Sequence, residues 1–308
     1  MRYTTLTIGT AALATAVLSL TACQELTGST ASPGRAGYDA PGVHRQYGVP
    51  QKVGNGRART YVVIDQKNGG RPLEVGVALD EAALQGLPAP MQMPPGGGDP
   101  HEHLDSHVYD LAMPARNPTL YEFVELDWNP GGHEPPGIYD IPHFDFHFYT
   151  VSKAVRDAID PAQLGEAAYL AKSGNLPPES ERAPYFVPLA APGAPLVAVP
   201  RMGVHWSDVR SPELQGVLGN PAGYRPFTTT FIHGSWDGAF IFDEPMVTRD
   251  FILGRKAATT AASRDSVMQL PQPAAVRESG WYPSAYRVTW DAQAKEYRIA
   301  LTQLELRD

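Results

Sequence analysis

The densest group of chemically reactive side chains lies in residues 133–149, HEPPGIYDIPHFDFHFY. This stretch holds three of the chain's nine His, three acidic residues and three Phe. Imidazole and carboxylate groups bind divalent metals, and they are also the usual general acids and bases. The composition therefore predicts a metal site, an acid–base site, or a polar strand whose side chains are satisfied by hydrogen bonds.

Alternation of polar and aromatic residues from 143 to 148 predicts a β-strand. On a strand, His143, Asp145 and His147 share one face, and the intervening Phe residues share the other. Side chains two residues apart lie about 6.6 Å from each other, whereas side chains four apart lie about 13 Å away. Neighbouring members can therefore share one ion, and another strand must supply the remaining ligands.

Other segments offer such ligands. RMGVHWSD (201–208) contains His205, and FIHGSWDGAFIFDEPM (231–246) forms a hairpin-like stretch with His233 on one arm and Glu244 on the other. The expected metal ligands are His143, Asp145, His147, His205 and Glu244, with His133, Glu134 and His233 as outer or alternative residues. A His/carboxylate set without thiolate suits Zn²⁺, Fe²⁺, Mn²⁺ or Cu²⁺, and it leaves a position for water or substrate.

Other motifs give weaker indications. HEPPG differs from the helical zinc motif HExxH because two prolines prevent the helix. HEHLDSH (101–107) spaces His103 and His107 as on a helix, but it follows GGGDP and is better interpreted as a solvated loop. A lone buried His is often a hydrogen-bonded structural residue, so each single His keeps that alternative.

The N-terminus predicts export. A basic Arg2 precedes an apolar run from Ile8 to Leu20, and Leu-Thr-Ala leads into Cys23, the only Cys in the chain. This is the form of a lipoprotein signal peptide over residues 1–22, with lipid attached to Cys23. We expect a lipid-anchored protein of the cell envelope, and Gln24 favours the periplasmic face of the outer membrane.

The charge balance restricts the partners. Loss of residues 1–22 removes one Arg, which leaves 24 basic side chains against 33 acidic ones, a formal charge of −9. This balance argues against nucleic-acid binding, so the membrane contact would come from the acyl chain. With its only thiol lipidated, the chain has no disulfide and no catalytic Cys.

Residues 23–57 are polar and rich in Gly and Pro, and they predict a flexible tether before a single β-rich domain over 58–308. Strand-like runs cover 60–65, 72–80, 119–128, 143–150, 228–236, 238–247, 286–291 and 296–306. Helical patterns occur at 152–160 and 161–172. The expected fold is mainly β (α+β), an antiparallel β-barrel or sandwich with a small helical insertion and long Pro/Gly-rich loops.

The phrases GHEPPGIYDIPHFDFHFY, MGVHW and FIHGSWDGAFIFDEPM resemble a bacterial family of exported proteins known only as a domain of unknown function. The resemblance covers roughly Tyr61 to Leu306, and it implies an exported or lipid-anchored domain without assigning a reaction. The HxDxH strand also resembles the cupin metal motif in its chemistry, but its spacing differs.

The function that these patterns favour is a lipid-anchored envelope protein with one His/carboxylate metal site, used in catalysis or metal handling. The alternative is a non-catalytic envelope protein that binds a small-molecule ligand or forms homo-oligomers. In that alternative, the His strand is only a polar seam.

Overall fold

The computed structural model describes residues 40–90, 106–188, 196 and 198–308. Its strands are β1 (Val43–Tyr47), β2 (Gln51–Val53), β3 (Gly56–Asp65), β4 (Arg71–Asp80), β5 (His107–Ala112), β6 (Phe123–Asn129), β7 (His143–Tyr149), β8 (Phe186–Pro188), β9 (Val204–Asp208), β10 (Thr229–Trp236), β11 (Ala239–Thr248), β12 (Asp265–Gln269), β13 (Gly280–Asp291) and β14 (Glu296–Arg307). The helices are α1 (Lys153–Asp157), α2 (Pro161–Leu164), α3 (Glu166–Gly174) and α4 (Arg249–Ala257). Short 3-10 turns occur at Glu81–Leu84, Glu179–Glu181 and Pro212–Leu214.

The strands form two seven-stranded antiparallel sheets. The first sheet has the order β1-β3-β4-β14-β13-β12, with β2 paired to β3, and the second has the order β5-β6-β7-β11-β10-β9-β8. Apolar side chains from both sheets belong to one buried core. Neither sheet closes into a barrel among the described strands, so the mainly β prediction is confirmed in its sandwich form.

The hairpin between β10 and β11 forms where the sequence predicts it. Asp237 and Gly238 both have positive φ, 47° and 85°, which suits a tight turn between twisted strands. Asn175 and Lys172 donate hydrogen bonds to the Asp237 carboxylate. The resulting register sets Glu244 opposite Ile232 and His233 opposite Asp243.

The predicted tether is too long at its C-terminal end. Residues 43–47 and 51–53 are strands of the first sheet, so the folded part begins before residue 58. β1 is an edge strand with half-buried side chains. Such a strand shows no clear apolar alternation, which explains why its sequence resembles a linker. The predicted signal peptide, Cys23 and the first part of the tether lie outside the described residues.

The helical insertion follows β7 as predicted, although it is divided into three short helices. Ser152 caps α1 by accepting a hydrogen bond from the Val155 amide, and Asp160 caps α2 in the same way. Gly165, with φ of 78°, separates α2 from α3. α4 was not predicted, because its sequence is short and contains an internal Gly. No helix in the described ranges is long and apolar enough to cross a membrane.

Candidate metal centre

Strand β7 has the two chemically different faces that its sequence predicts. His143, Asp145 and His147 are 0%, 2% and 1% exposed, so the polar face is buried as completely as the aromatic one. Rings from other segments cover it, since His133 and Phe227 lie 4.6 and 5.4 Å from the His143 ring. The aromatic face lies in the core between the sheets and consists of Phe144, Phe146 and Phe148.

The neighbouring strand β6 adds polar groups that the sequence interpretation missed. Its register sets Glu125 opposite His147, Asp127 opposite Asp145, and Asn129 opposite His143, and the three β6 side chains are buried. Because directly opposed residues share one face, β6 and β7 together form a buried polar layer. The alternation of acidic and apolar residues in EFVELDWN could have indicated that these polar side chains share one face of a strand.

Three strands bring together His147, His205 and Glu244, from β7, β9 and β11. Their potential ligand atoms all lie within 4.8 Å of one another. Nε2 of His147 is 3.5 Å from Glu244 Oε1, and Nε2 of His205 is 3.9 Å from Glu244 Oε2. A tetrahedral ion bound at about 2.1 Å holds its ligand atoms roughly 3.4 Å apart, so these separations are close to those of a metal site.

Glycine at position 234 helps to shape this group. Gly234 lies on β10 between His205 and Phe242 in the strand register. A Cβ atom at this position would collide with the Phe242 ring. The space instead lets that ring contact His147 and His205, with centroid distances of 4.8 and 5.6 Å. The ring therefore forms an apolar wall beside both imidazoles.

Several buried atoms of the His147–Glu244 group and of the adjacent Asp127 lack hydrogen bonds in the described part of the chain. Both ring nitrogens of His147, Oε2 of Glu244 and both carboxylate oxygens of Asp127 have no hydrogen-bond partner in the described part of the chain. Leaving one such group unsatisfied costs about 1–3 kcal/mol, and more if the group is charged. A cation among these atoms would remove that cost.

Burial also sets the protonation states. It lowers the pKa of His147 to about 4 and that of His205 to about 3, so both rings are neutral near pH 7. Burial and the nearby carboxylates Asp145 and Asp127 raise the pKa of Glu244 well above its usual value. The histidines thus keep lone pairs for a metal, and the carboxyl group needs a neighbouring positive charge to ionise.

Asp127 lies behind His147. Its Oδ2 atom is 3.5 Å from His147 Nδ1, on the side of the ring away from Glu244. A carboxylate in this position commonly orients a metal-bound imidazole. Burial, followed by repulsion from Glu125, raises the pKa of Asp127 well above its usual value. Glu125 itself contacts Arg156 and Arg201, yet burial still raises its pKa to about 7.

A second group contains His133, His143 and Asp145. Asp145 Oδ2 accepts a hydrogen bond from Asn129 at 2.7 Å and lies 3.2 Å from His133 Nε2. Asp145 Oδ1 lies 3.2 Å from His143 Nε2. Burial opposes ionisation of Asp145, but the two histidines hold its pKa well below the usual value. Burial likewise opposes protonation of His133, but Asp145 raises the His133 pKa. Protons on the histidines can therefore balance the Asp145 charge, but His143 Nε2 and Asp145 Oδ1 also lack a hydrogen-bond partner in the described part of the chain.

The structure divides the expected ligand set. His147, His205 and Glu244 form one group, whereas His143 and Asp145 belong to the other with His133. The side chain of Glu134 is exposed, and its backbone carbonyl contacts His133. His233 is excluded from both groups, because its register partner Asp243 is adjacent to Glu244 and therefore lies on the opposite face of the sheet. His107 lies on β5, and residues 101–105 of HEHLDSH are outside the described ranges.

Comparison with known proteins adds one partial match. A family model described as "TTHB210-like: Hypothetical protein TTHB210" matches residues 68–128, from β4 to near the end of β6. The matched segment includes Glu125 and Asp127 but none of the three clustered ligands. No curated protein matches the chain. No solved structure matches it either. The fold and the site thus define a β-sandwich protein with a buried His/carboxylate layer.

Proposed function

We propose that this protein binds one divalent metal ion through His147, His205 and Glu244. The carrying observation is that both ring nitrogens of His147 and Oε2 of Glu244 are buried without a hydrogen-bond partner in the described part of the chain, while His147 Nε2 lies 3.5 Å from the other carboxylate oxygen of Glu244. Two neutral imidazoles and one carboxylate provide the charge and lone pairs that such an ion needs.

The ligand types indicate which ions fit. Two His and one carboxylate bind Zn²⁺ in hydrolases and Fe²⁺ in oxygenases, and the same donors accept Mn²⁺ and Cu²⁺. When bound, the ion would act as a Lewis acid that polarises a substrate oxygen or activates a water molecule. Three protein ligands leave an open position. His205 is the most exposed ligand, with 15% of its side chain accessible, so an incoming molecule would approach on its side.

The remaining residues would orient and insulate the ion. Asp127 would hold the His147 ring through Nδ1, so that Nε2 points towards Glu244. Phe242 excludes water from one side of both imidazoles. Arg156, which contacts Glu125, keeps the additional negative charge of the polar layer balanced. These roles belong equally to a catalytic centre and to a metal-handling site.

Metal content tests this proposal. The full chain, purified without a polyhistidine tag, should bind one equivalent of Zn²⁺ or Fe²⁺, and Glu244→Gln should lose most of it. Glu74→Gln is a matched control, because Glu74 is an equally buried carboxylate that pairs with Arg287 in the other sheet. If the parent never carries stoichiometric Zn²⁺, Fe²⁺, Mn²⁺ or Cu²⁺, the non-catalytic polar-seam alternative is supported instead.

We also propose that lipid on Cys23 holds the protein at the envelope. Support comes from the signal-like residues 1–22 and from the absence of any other Cys in the sequence. Cys23→Ser should leave the precursor unprocessed or release the protein into the soluble fraction. Unchanged processing and unchanged membrane association in this variant would contradict the proposal.

A further inference from the structure

A cavity of about 120 Å³ lies between the two sheets, on the face of the second sheet opposite to the metal centre. Its walls are mostly apolar, and they include Leu120, Phe240, Leu270 and Tyr282. An engineered apolar cavity of about 150 Å³ accepts benzene, so this slightly smaller cavity limits an occupant to about one ring.

Polar side chains, including Glu181, Arg277 and Arg307, also line this cavity, and one linked pair of them lies on the second sheet. His233 and Asp243 line the cavity, and His233 Nδ1 lies 2.7 Å from Asp243 Oδ1. Tyr121 donates its hydroxyl hydrogen to the other oxygen, Asp243 Oδ2. An ionised carboxylate can only accept hydrogen bonds, so Nδ1 of His233 carries the proton. In the uncharged form of the ring, Nε2 is then an acceptor.

No side chain in the described ranges donates a hydrogen bond to His233 Nε2. Phe186, Phe231 and Phe240 surround the ring, with centroid distances of 4.6, 5.2 and 5.4 Å. Asp243 is the hydrogen-bond partner of this side chain among the described residues, and it contacts Nδ1. An acceptor surrounded by three Phe rings favours a molecule that donates one hydrogen bond and is otherwise apolar at this end of the cavity.

We propose that this cavity binds a ring-sized compound with one hydroxyl group, of the phenol class. The ring would occupy the apolar space, and the hydroxyl would donate to His233 Nε2. The Tyr121–Asp243–His233 chain would fix the imidazole tautomer that this recognition requires. The site uses none of the three proposed metal ligands, so this proposal can be tested independently of the metal proposal.

Binding of matched probes tests the first step. Phenol and anisole have similar shapes, but anisole has no donor hydrogen. NMR titration of the His233 ring signals should show that phenol binds about three- to tenfold more tightly than anisole, the ratio expected for one hydrogen bond. Glu244→Gln should not change this ratio. Equal affinity for the two probes, or no binding of either, would overturn the proposal.

The variant Asp243→Asn tests the tautomer directly. The amide oxygen can still accept from Tyr121, which turns the amide NH₂ group towards His233 Nδ1. Nδ1 must then accept a hydrogen bond, and the ring proton moves to Nε2. The preference for phenol over anisole should then disappear, because the oxygens of both probes can accept a hydrogen bond from Nε2–H. An unchanged preference for phenol in a folded variant contradicts the mechanism. If this variant does not fold, His233→Leu should bind phenol and anisole equally.

Discussion

Phe146→Ala separates the structural face of β7 from its chemical face. Phe146 is fully buried, lies opposite Leu126 on β6 and contacts Phe144 with a ring-centroid distance of 6.1 Å. Removing a buried Phe ring costs about 3–5 kcal/mol, because the surrounding core does not fully close the cavity. For a domain of this size, each kcal/mol lowers Tm by about 2–4 °C, so Tm should fall by roughly 6–20 °C.

Urea unfolding and thermal melts measure this loss, with metal content determined at a temperature where the variant is folded. Metal binding should persist, because Phe146 and His147 point to opposite faces of the sheet. Leu306→Ala is the control, since Leu306 is 59% exposed and its truncation should change stability by only about 0.5 kcal/mol. A Phe146→Ala change below about 1 kcal/mol, or loss of metal without loss of stability, would refute the two-face account.

Three further predictions concern the polar layer. Asp127→Asn should weaken metal binding about 10–100-fold, as measured by competition with a chelator, because the His147 ring loses the carboxylate that orients it. Asp145→Asn should keep one equivalent of metal but destabilise the fold by about 3–5 kcal/mol in urea unfolding, because His133 loses its buried charge partner. In the metal-free protein, the pKa values of about 4 for His147 and 3 for His205 lie below the unfolded value of about 6.5, so the unfolded chain binds more protons in between. These two histidines should therefore each lower the free energy of unfolding as pH drops from 6.5 to 4, by roughly 3 kcal/mol for His147, whereas the raised pKa values of Glu244, Asp127 and Glu125 act in the opposite direction. Urea titrations of the parent and of His147→Gln isolate the His147 contribution, and identical pH profiles for the two proteins would contradict the account.

The sequence predicted the structural features that depend only on residues close to one another along the chain. Alternation identified β7 and its two faces, and Asp237-Gly238 identified the β10–β11 hairpin. The edge strand β1 was not predicted, because half-buried residues show no strong alternation of apolar and polar side chains. β7 and the hairpin can be recognised from a few consecutive residues, whereas β1 cannot.

The composition of the metal group depended on long-range pairing. β7 pairs with β11 across about a hundred residues, and β9 joins through β10, so spacing alone could not decide which His would meet Glu244. The strand register decided it, moving His233 to the other face and dividing Asp145 from His147. Asp127 was missed because one acidic residue on a predicted strand is usually solvated. Only the folded structure shows that Asp127 is buried, with 1% of its surface exposed.

The most direct test of the metal proposal is the position of the ion. Crystals of the Zn²⁺-loaded full chain, measured on both sides of the zinc absorption edge, would locate it by anomalous scattering. We expect one peak about 2.0–2.2 Å from His147 Nε2, His205 Nε2 and a Glu244 carboxylate oxygen. A peak among His133, His143 and Asp145 instead, or no ordered peak in protein that has been saturated with zinc, would contradict the assignment.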